Sequence, residues 1–297
     1  ATPVPPTVIR TGYAFAGWIP EVTAVTGPAT YTAQWTANAY SVSFSAEGGN
    51  GSMTPQTITY GQTAALTPNA FVKTGYTFTG WAATIDGNVV YTDGANFTMN
   101  TTGSTLYAKW SVNQYSVTFD SAGGSPVDPI TQDYDTVITA PADPIRLGYT
   151  FGGWSPAVPA TIPGNNIECV AQWVANTYTV TYDANGGTGT TVNSQHSYDA
   201  ASNLTANGFI KTGYSFLGWS GSSTSQTPDY SDAVSVLNLT AINGDTVTFY
   251  SVWGINQYNV YFDTNGGTGT IPPVNQDYGS AVILPATGVT KEGCNFI

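Results

Sequence analysis

The chain has few residues that carry charge. Only 8% of its 297 residues are charged, and six Lys or Arg stand against eighteen Asp or Glu, which gives a formal net charge of −12. There is one histidine, and there are two cysteines. Because binding to phosphates needs clustered cations, we expect neither nucleic acid nor an anionic membrane surface as a partner.

Long apolar runs are also absent. No stretch approaches the roughly 18 apolar residues that cross a bilayer, so we expect no membrane insertion of this segment. Residues 1–6 match neither a signal peptide nor a starting methionine, which indicates a piece of a longer polypeptide. The chain is still of globular type, because 41% of its residues are hydrophobic and 13% are aromatic.

What the sequence does contain is a recurring heptad, Gly-Tyr-x-Phe-x-Gly-Trp. Four complete copies and a fifth copy cut off by the chain end begin at Gly12, Gly75, Gly148, Gly213 and Gly293. Successive copies start 63 to 80 residues apart, which is the length of a small domain and longer than a solenoid turn. The alternation of aromatic and small residues predicts a β-strand with one core-facing side, and the second glycine permits a bulge at its end.

A cation stands two residues before each heptad. Five of the six basic residues are used in this way: Arg10, Lys73, Arg146, Lys211 and Lys291. We favour a structural role, in which the stem covers the aromatic rings while the head stays in water or meets an aspartate. A general isopeptide crosslink at this position is rejected, because arginine fills it in two copies and cannot form that bond.

The heptads and the strands around them divide the chain into modules. We predict an opening half-repeat at residues 1–35, a first repeat at 36–111, a second repeat at 112–174, a third repeat at 175–254 and a closing half-repeat at 255–297. Each complete repeat opens with an alternating Tyr-x-Val-x-Phe type strand and closes with a strand that ends in Trp. Only two residues separate a closing Trp from the Asn that begins the next opening strand, so we expect a mostly β array of beads on a semi-rigid rod.

The half-repeats leave two interpretations open. A longer chain would complete both of them, or the closing half-repeat of one subunit would complete the opening half-repeat of the next subunit. The second arrangement would give a head-to-tail fibre by strand complementation.

Twelve aromatic residues are the structural repeat positions that we single out in the complete repeats. They are Tyr76, Phe78, Trp81 and Trp110, then Tyr149, Phe151, Trp154 and Trp173, and then Tyr214, Phe216, Trp219 and Trp253. A small module gains most from a few large rings, which bury roughly 150 to 250 Å² each. We therefore predict that the tryptophans are core residues first and ligand platforms second.

In order, the repeats carry Tyr-x-Val-x-Phe-Asp-x-Asn-Gly-Gly, a Pro-rich middle, Lys/Arg-x-Gly-Tyr-x-Phe-x-Gly-Trp, and Tyr-x-Ala-x-Trp. This series resembles the Listeria-Bacteroides repeat, the type that includes the B-repeat of the listerial internalins. The resemblance covers essentially the whole chain. It implies β-grasp-like (β-rich α+β) modules, a secreted or cell-surface location, and a place in the stalk of large surface proteins as spacers or interaction segments, with no known enzyme activity.

The residues that could act in catalysis or bind a metal are each interpreted as structural. His196 has no counterpart in the other copies and is predicted to be a surface residue. The turn at residues 183–187 resembles a calcium loop but lacks further carboxylates, so an Asn-Gly hairpin turn is preferred. We predict no catalytic residue, no cofactor and no metal site.

Two kinds of covalent chemistry stay open. Cys169 and Cys294 each replace a tyrosine of other copies, and buried substitution is preferred over an intermolecular disulfide. Candidate N-glycosylation sites, which would be used only in a host with the machinery, are Asn50, Asn96, Asn100, Asn203 and Asn238.

These features lead to one leading function and one alternative. The leading function is a structural extracellular segment that forms the stalk or fibre of a cell-surface protein, with copies of itself, head-to-tail or lateral, or other surface proteins as partners. The alternative is an adhesin-type binding module, which recognises glycan or a host or neighbour-cell protein through exposed aromatics. An enzyme is not expected.

Overall fold

The computed structural model describes residues 7–24, 26–100, 102–284, 286 and 288–295. The fold is mostly β, as predicted, and the described residues contain no helix, hence none suited to crossing a membrane. Residues 1–6 and Phe296 of the fifth heptad lie outside the described residues.

The chain divides into two compact units, and the division falls within the second repeat. The first unit comprises residues 1–119, 128–141 and 156–169, and the second comprises residues 120–127, 142–155 and 170–297.

The first unit contains the opening half-repeat and the first repeat. Their strands are β1 (Tyr13–Ile19), β2 (Thr32–Ala37), β3 (Ala39–Ser45), β4 (Gln56–Thr59), β5 (Thr63–Ala65), β6 (Tyr76–Ala82), β7 (Val89–Tyr91), β8 (Asn96–Thr98) and β9 (Ser104–Val112). The main sheet of the first repeat has the order β4-β3-β9-β6-β7, in which β3 and β9 are parallel. Strands β5 and β8 form a separate antiparallel ribbon. Val42, Leu66, Trp81 and Met99 are fully buried and make up the centre of this core.

The second repeat contributes four strands, β10 (Gln114–Asp120), β11 (Ile130–Asp133), β12 (Tyr149–Ser155) and β13 (Ile167–Ala175). In the first unit, β10 pairs with β11 in antiparallel fashion, as β3 pairs with β4. In the second unit, the heptad strand β12 pairs with the closing strand β13, as β6 pairs with β9.

The third repeat and the closing half-repeat belong to the second unit. Their strands are β14 (Thr177–Asp183), β15 (Thr188–Gly189), β16 (Ser194–Ser197), β17 (Ser202–Asn203), β18 (Phe209–Ile210), β19 (Tyr214–Ser220), β20 (Ser235–Val236), β21 (Thr246–Ile255), β22 (Gln257–Val260) and β23 (Val274–Asp277). The sheet order β16-β14-β21-β19, with β14 and β21 parallel, repeats that of the first repeat. Tyr178, Val180 and Trp219 lie at the centre of its core.

The heptad strand contains the bulge that its second glycine predicted. In the third repeat, the pairing of β19 with β21 shifts between Phe216 and Gly218, where the glycine has a φ of 145°. The extra residue reverses the strand's alternation, so Trp219 turns to the same side as Phe216, and their ring centroids lie 4.8 Å apart. The same shift follows the heptad phenylalanine in the other three complete copies. The bulge therefore delivers the tryptophan to the core.

We predict that Gly218→Ala destabilises the third repeat by about 2 kcal/mol or more, because its φ disfavours a side chain and the new Cβ would press on Pro228. Gly221→Ala is the matched control, since an added Cβ there meets nothing within 4 Å. Hydrogen exchange of third-repeat peptides measures both effects, and equal losses of protection in the two variants would contradict this account of the bulge.

Candidate functional site at the repeat junctions

Four junctions connect successive modules, and each is built around one asparagine. These junction asparagines stand alone between the closing strand of one module and the opening strand of the next: Asn38, Asn113, Asn176 and Asn256. At every junction, the asparagine N–H donates to the carbonyl of the first heptad glycine at 2.9 Å, and the asparagine carbonyl accepts from a tyrosine N–H at 2.8 Å. Neighbouring modules are thus joined through main-chain hydrogen bonds on both sides of a single residue.

Each junction also contains a close contact between a glycine and a tyrosine. The junction glycines are Gly12, Gly75, Gly148 and Gly213, and the junction tyrosines, which follow the second strand of the next module, are Tyr60, Tyr134, Tyr198 and Tyr278. The φ angles of the glycines lie between 76° and 83°. A Cβ built on any of them would overlap carbons of the tyrosine ring. Both the backbone conformation and the close approach therefore require glycine.

The heptad tyrosine packs between the junction tyrosine and the recurrent cation. In the first unit, the rings of Tyr76 and Tyr134 meet edge to face at 6.0 Å, and Lys73 Nζ lies 4.5 Å from the Tyr76 ring centroid. The same Nζ donates to the carbonyl of Glu47 in the Gly-Gly turn at 3.3 Å. Equivalent cation–ring contacts of 3.8 to 4.7 Å occur at Arg10, Arg146 and Lys211. The cation head thus meets a main-chain carbonyl, where the sequence led us to expect water or an aspartate.

Hydroxyl groups of the heptad add a third contact. Thr77, Thr150 and Ser215 each follow the heptad tyrosine and donate to the Oδ1 atom of their junction asparagine at 2.6 to 2.7 Å. The asparagine is therefore held by its main chain and its side chain together, which fixes its orientation.

The junction between the second and third repeats carries an additional polar network. The Tyr149 hydroxyl donates to Asp199 Oδ2 at 2.9 Å, and Asn238 Nδ2 donates to Asp199 Oδ1 at 2.7 Å. The hydrogen bonds from Asn238 and from Tyr149 lower the pKa of Asp199, and the bond to Asp199 raises the pKa of Tyr149. Asp199 is exposed and its two partners are half-buried, so solvent screens the network, which orients the residues more than it stabilises them.

The twelve predicted aromatic positions fall into two sets. The tyrosines belong to the junctions, whereas the phenylalanine and two tryptophans of each repeat contact one another inside the repeat, with Phe–Trp centroid distances between 4.8 and 5.7 Å. Trp110, Trp173 and Trp253 each donate Nε1–H to a carbonyl of the Gly-Gly turn region at 2.9 Å. Trp81 and Trp219 are fully buried, and the other tryptophans are half-buried. Among the described residues, no tryptophan is classed as exposed.

The prediction that His196 lies at the surface is wrong. Its side chain is 2% exposed and stacks on Tyr178, with ring centroids 5.5 Å apart and planes 15° apart. The cause is strand register, because His196 faces Tyr178 as Ile58 faces Tyr40 in the first repeat. When the second strands of the first and third repeats are aligned, His196 takes the position of Ile58, which would have indicated burial. Comparison of the heptads alone misses this signal. Burial lowers the pKa of His196.

The turn at residues 183–187 has the geometry that Asn-Gly favours. Asn185 and Gly186 have φ angles of 47° and 83°, and the Asn185 N–H donates to Asp183 Oδ1 at 2.7 Å. The Asn185 side chain donates to two further carbonyls, of Ser223 and Ser251, which fixes the turn against the third repeat.

The candidate glycan acceptors differ in accessibility. Asn50, Asn96, Asn100 and Asn203 are exposed, and Thr101 of the Asn100 sequon lies outside the described residues. Asn238 is half-buried, and its side-chain amide is bound to Asp199. A glycan on Asn238 would therefore break the polar network at this junction.

The two cysteines lie in different environments. Cys169 is fully buried at the position that Leu106 and Phe249 fill in the neighbouring repeats, and burial raises the pKa of its thiol. Cys294 is exposed. Burial of Cys169 fits the preferred interpretation, and an intermolecular disulfide stays a prediction for Cys294.

We predict that Gly75→Ala weakens its junction by about 1 to 3 kcal/mol more than Gly61→Ala does. Gly61 is a matched control because its φ of 78° equals that of Gly75 within two degrees, while an added Cβ there meets only the Tyr13 hydroxyl at 3.9 Å. The difference between the variants thus isolates the glycine–tyrosine contact. Hydrogen exchange at Asn113 and Tyr134 measures it, and indistinguishable protection in the two variants would show that the contact contributes nothing.

We also predict that one thiol of the native chain reacts quickly with a maleimide and that the second reacts only on unfolding. Cys294→Ser should remove the fast reaction, and Cys169→Val should leave it intact, because only Cys294 is exposed. Mass spectrometry of the labelled chain counts the thiols, and fast double labelling of the native chain would contradict the burial of Cys169.

Comparison with known proteins gives a consistent family assignment. The family model described as the Listeria-Bacteroides repeat domain matches residues 40–109, 115–159, 178–250 and 258–297. Each match begins at the tyrosine of an opening strand: Tyr40, Tyr115, Tyr178 and Tyr258.

Relatives of this chain include proteins from two bacteria. A protein of Evansella cellulosilytica named as a Gly-rich membrane protein is 32% identical over 97% of this chain and 35% of its own length. A second membrane protein of that organism is 30% identical over 80% of this chain and 35% of its own length. Internalin H of Listeria monocytogenes is 35% identical over 37% of this chain and 21% of its own length. The chain thus spans about a third of the two Evansella relatives.

Proposed function

Because the chain belongs to the Listeria-Bacteroides repeat domain family, we propose that it is a structural segment of a cell-surface protein, in which joined repeats act as a stalk. The observation that carries this proposal is the junction, which has the same two main-chain hydrogen bonds and the same glycine–tyrosine contact at four places. A stalk has to resist bending between neighbouring modules. A one-residue connection held on both sides meets that requirement better than a flexible linker does.

The names of the relatives support a cell-surface location. Two relatives are named as membrane proteins, and a third is an internalin. We extend a cell-surface, extracellular setting to this chain, with neighbouring copies or other surface proteins as its partners. The family and these names also favour a role without catalysis. The β-grasp-like classification belongs to the same proposal, and the strand order shared by the first and third repeats supports it.

The alternative of an adhesin that binds through exposed aromatics has less support. The heptad tyrosine Tyr76 has Lys73 over its ring and the edge of Tyr134 beside it, and the face of Tyr134 lies on Gly75. The tryptophans of the complete repeats contact phenylalanine inside each repeat. These contacts cover part of each ring, which leaves less aromatic surface for a ligand.

We test the stalk by measuring the distance between spin labels on neighbouring repeats of the whole chain. Cys294→Ser removes the exposed thiol, and labels then replace Val90 in the first repeat and Val137 in the second, which are 57% and 73% exposed. A narrow distance distribution is expected. Tyr134→Ala should broaden it by removing the ring from Gly75, whereas Tyr134→Phe keeps the ring and should leave it narrow.

A second label pair supplies the control for intact repeats. Labels at Val72 and Val90 both lie in the first repeat and should give a narrow distribution in every variant. The stalk proposal fails if the Val90–Val137 distance distribution is already broad in the unmodified junction while that of the control pair is narrow. The two repeats would then not be held in one orientation.

A further inference from the structure

In the four modules that have an opening strand, one position faces the opening-strand tyrosine, and its chemistry and burial differ between modules. It holds Ile58 opposite Tyr40, Gln132 opposite Tyr115, His196 opposite Tyr178 and Gln276 opposite Tyr258. The chain has one histidine, so only the third repeat has at this position a side chain that titrates near neutral pH. The strand pairing at this position is the same in these four modules, whereas only the third repeat would respond to acid.

The surroundings of His196 tolerate a neutral ring and penalise a charged one. Nε2 lies 2.8 Å from Ser194 Oγ, while Nδ1 is buried with no hydrogen-bond partner among the described residues. In the protonated ring both nitrogens carry a proton, so the Nδ1–H would be buried without an acceptor and the charge would lie against Tyr178, which is itself 1% exposed. Burying an unpaired charge is costly, so the protonated form favours a state in which the ring reaches water.

Among the described residues, the groups bonded to or stacked on the ring carry no compensating charge. On its own strand β16, the polar neighbour is Ser194, whose Oγ also lies 3.0 Å from the Tyr182 hydroxyl of β14, and the β14 residue stacked on the ring is Tyr178. The segment that packs on Tyr178 presents the Leu239 N–H to the phenol oxygen at 3.4 Å. Asp199 is bound to Asn238 and Tyr149, and Asp245 is bound to Thr240 and the Thr246 N–H. Burial is the cause that lowers the pKa of His196.

Strand β16 leads directly into the junction. It ends at Ser197, and the next residue is the junction tyrosine Tyr198, whose ring lies on Gly148 and whose N–H donates to the Asn176 carbonyl. Release of β16 from β14 would therefore withdraw Tyr198 from its contact with the second repeat. The other three junctions have Ile58, Gln132 or Gln276 at the position equivalent to His196 and lack this trigger.

We propose that the junction between the second and third repeats is an acid-released joint, in which protonation of His196 detaches β16 and lifts Tyr198 from Gly148. The biological meaning of such a joint, a stalk that loosens at one place in mild acid, rests on the proposed function. The closed state binds fewer protons than the open state, whose histidine has the ordinary pKa of about 6.5. Closed-state stability is therefore full above about pH 6.5 and falls as the pH decreases below it.

Hydrogen exchange of the whole chain at about pH 7.5 and about pH 5, corrected for intrinsic rates, tests the proposal. Opening of residues 194–198 should increase by up to about 30-fold between these conditions, because the open state gains a proton that the closed state excludes. Residues 56–60 of the first repeat, which contain Ile58, are the internal control and should not change. His196→Ile and His196→Gln place the side chains of the other modules at this position and should abolish the acid effect.

A single-histidine NMR titration supplies the independent measurement, since the chain has only one imidazole signal to follow. An ordinary histidine pKa with unchanged protection of residues 194–198 would overturn the proposal. So would an acid-induced loss of protection that persists in His196→Ile, because the carboxylates would then be responsible. The spin-label test of the stalk uses the junction at Gly75, where Gln132 takes the place of His196. Failure of either proposal therefore leaves the other one standing.

Discussion

The contact of a tyrosine ring with a bare glycine Cα is the constraint on which the array depends. Tyr134 can lie on Gly75 only because no side chain projects there, and the positive φ of that glycine starts the heptad strand in the right direction. The heptad then continues into the core, where Phe78 and Trp81 pack together. One seven-residue strand therefore serves the junction at its start and the repeat's interior at its end, which couples the folding of a repeat to its docking on the next.

The scarcity of charge follows from the same arrangement. A cation such as Lys73 contacts the face of Tyr76 and donates to a carbonyl of the Gly-Gly turn, so one side chain connects the heptad to the opening half of its repeat. Arginine and lysine are interchangeable at this position, because the acceptor is a single carbonyl and the ring needs only a positive charge above it. The basic residues of this position are thus used where they hold the repeat together.

Much of the repeat could be predicted from sequence because its signals are local. Period-2 alternation predicted the opening and heptad strands. The glycine before tryptophan allowed a bulge, but simple alternation placed the tryptophan opposite the phenylalanine, and the structure shows that the bulge turns Trp219 to the same side. The junction tyrosines were missed, although Tyr60, Tyr134 and Tyr198 stand at nearly the same distance after their junction asparagines, because their contacts reach back into the preceding module. The burial of His196 was missed for a related reason. Its environment depends on which residue of β14 it faces, and strand register is fixed by pairing rather than by composition.

The position opposite the opening-strand tyrosine shows how an array of like modules can hold unlike properties. Main-chain pairing of the second strand is the same whether the side chain is isoleucine, glutamine or histidine, since the ladder uses only backbone groups. The side chain instead decides how readily that strand leaves the sheet, through the cost of a buried polar or charged group. Because the junction tyrosine follows the same strand, this single position governs the strength of a junction without altering its geometry. Differences in sequence between repeats can therefore change the response of individual junctions while the architecture stays uniform.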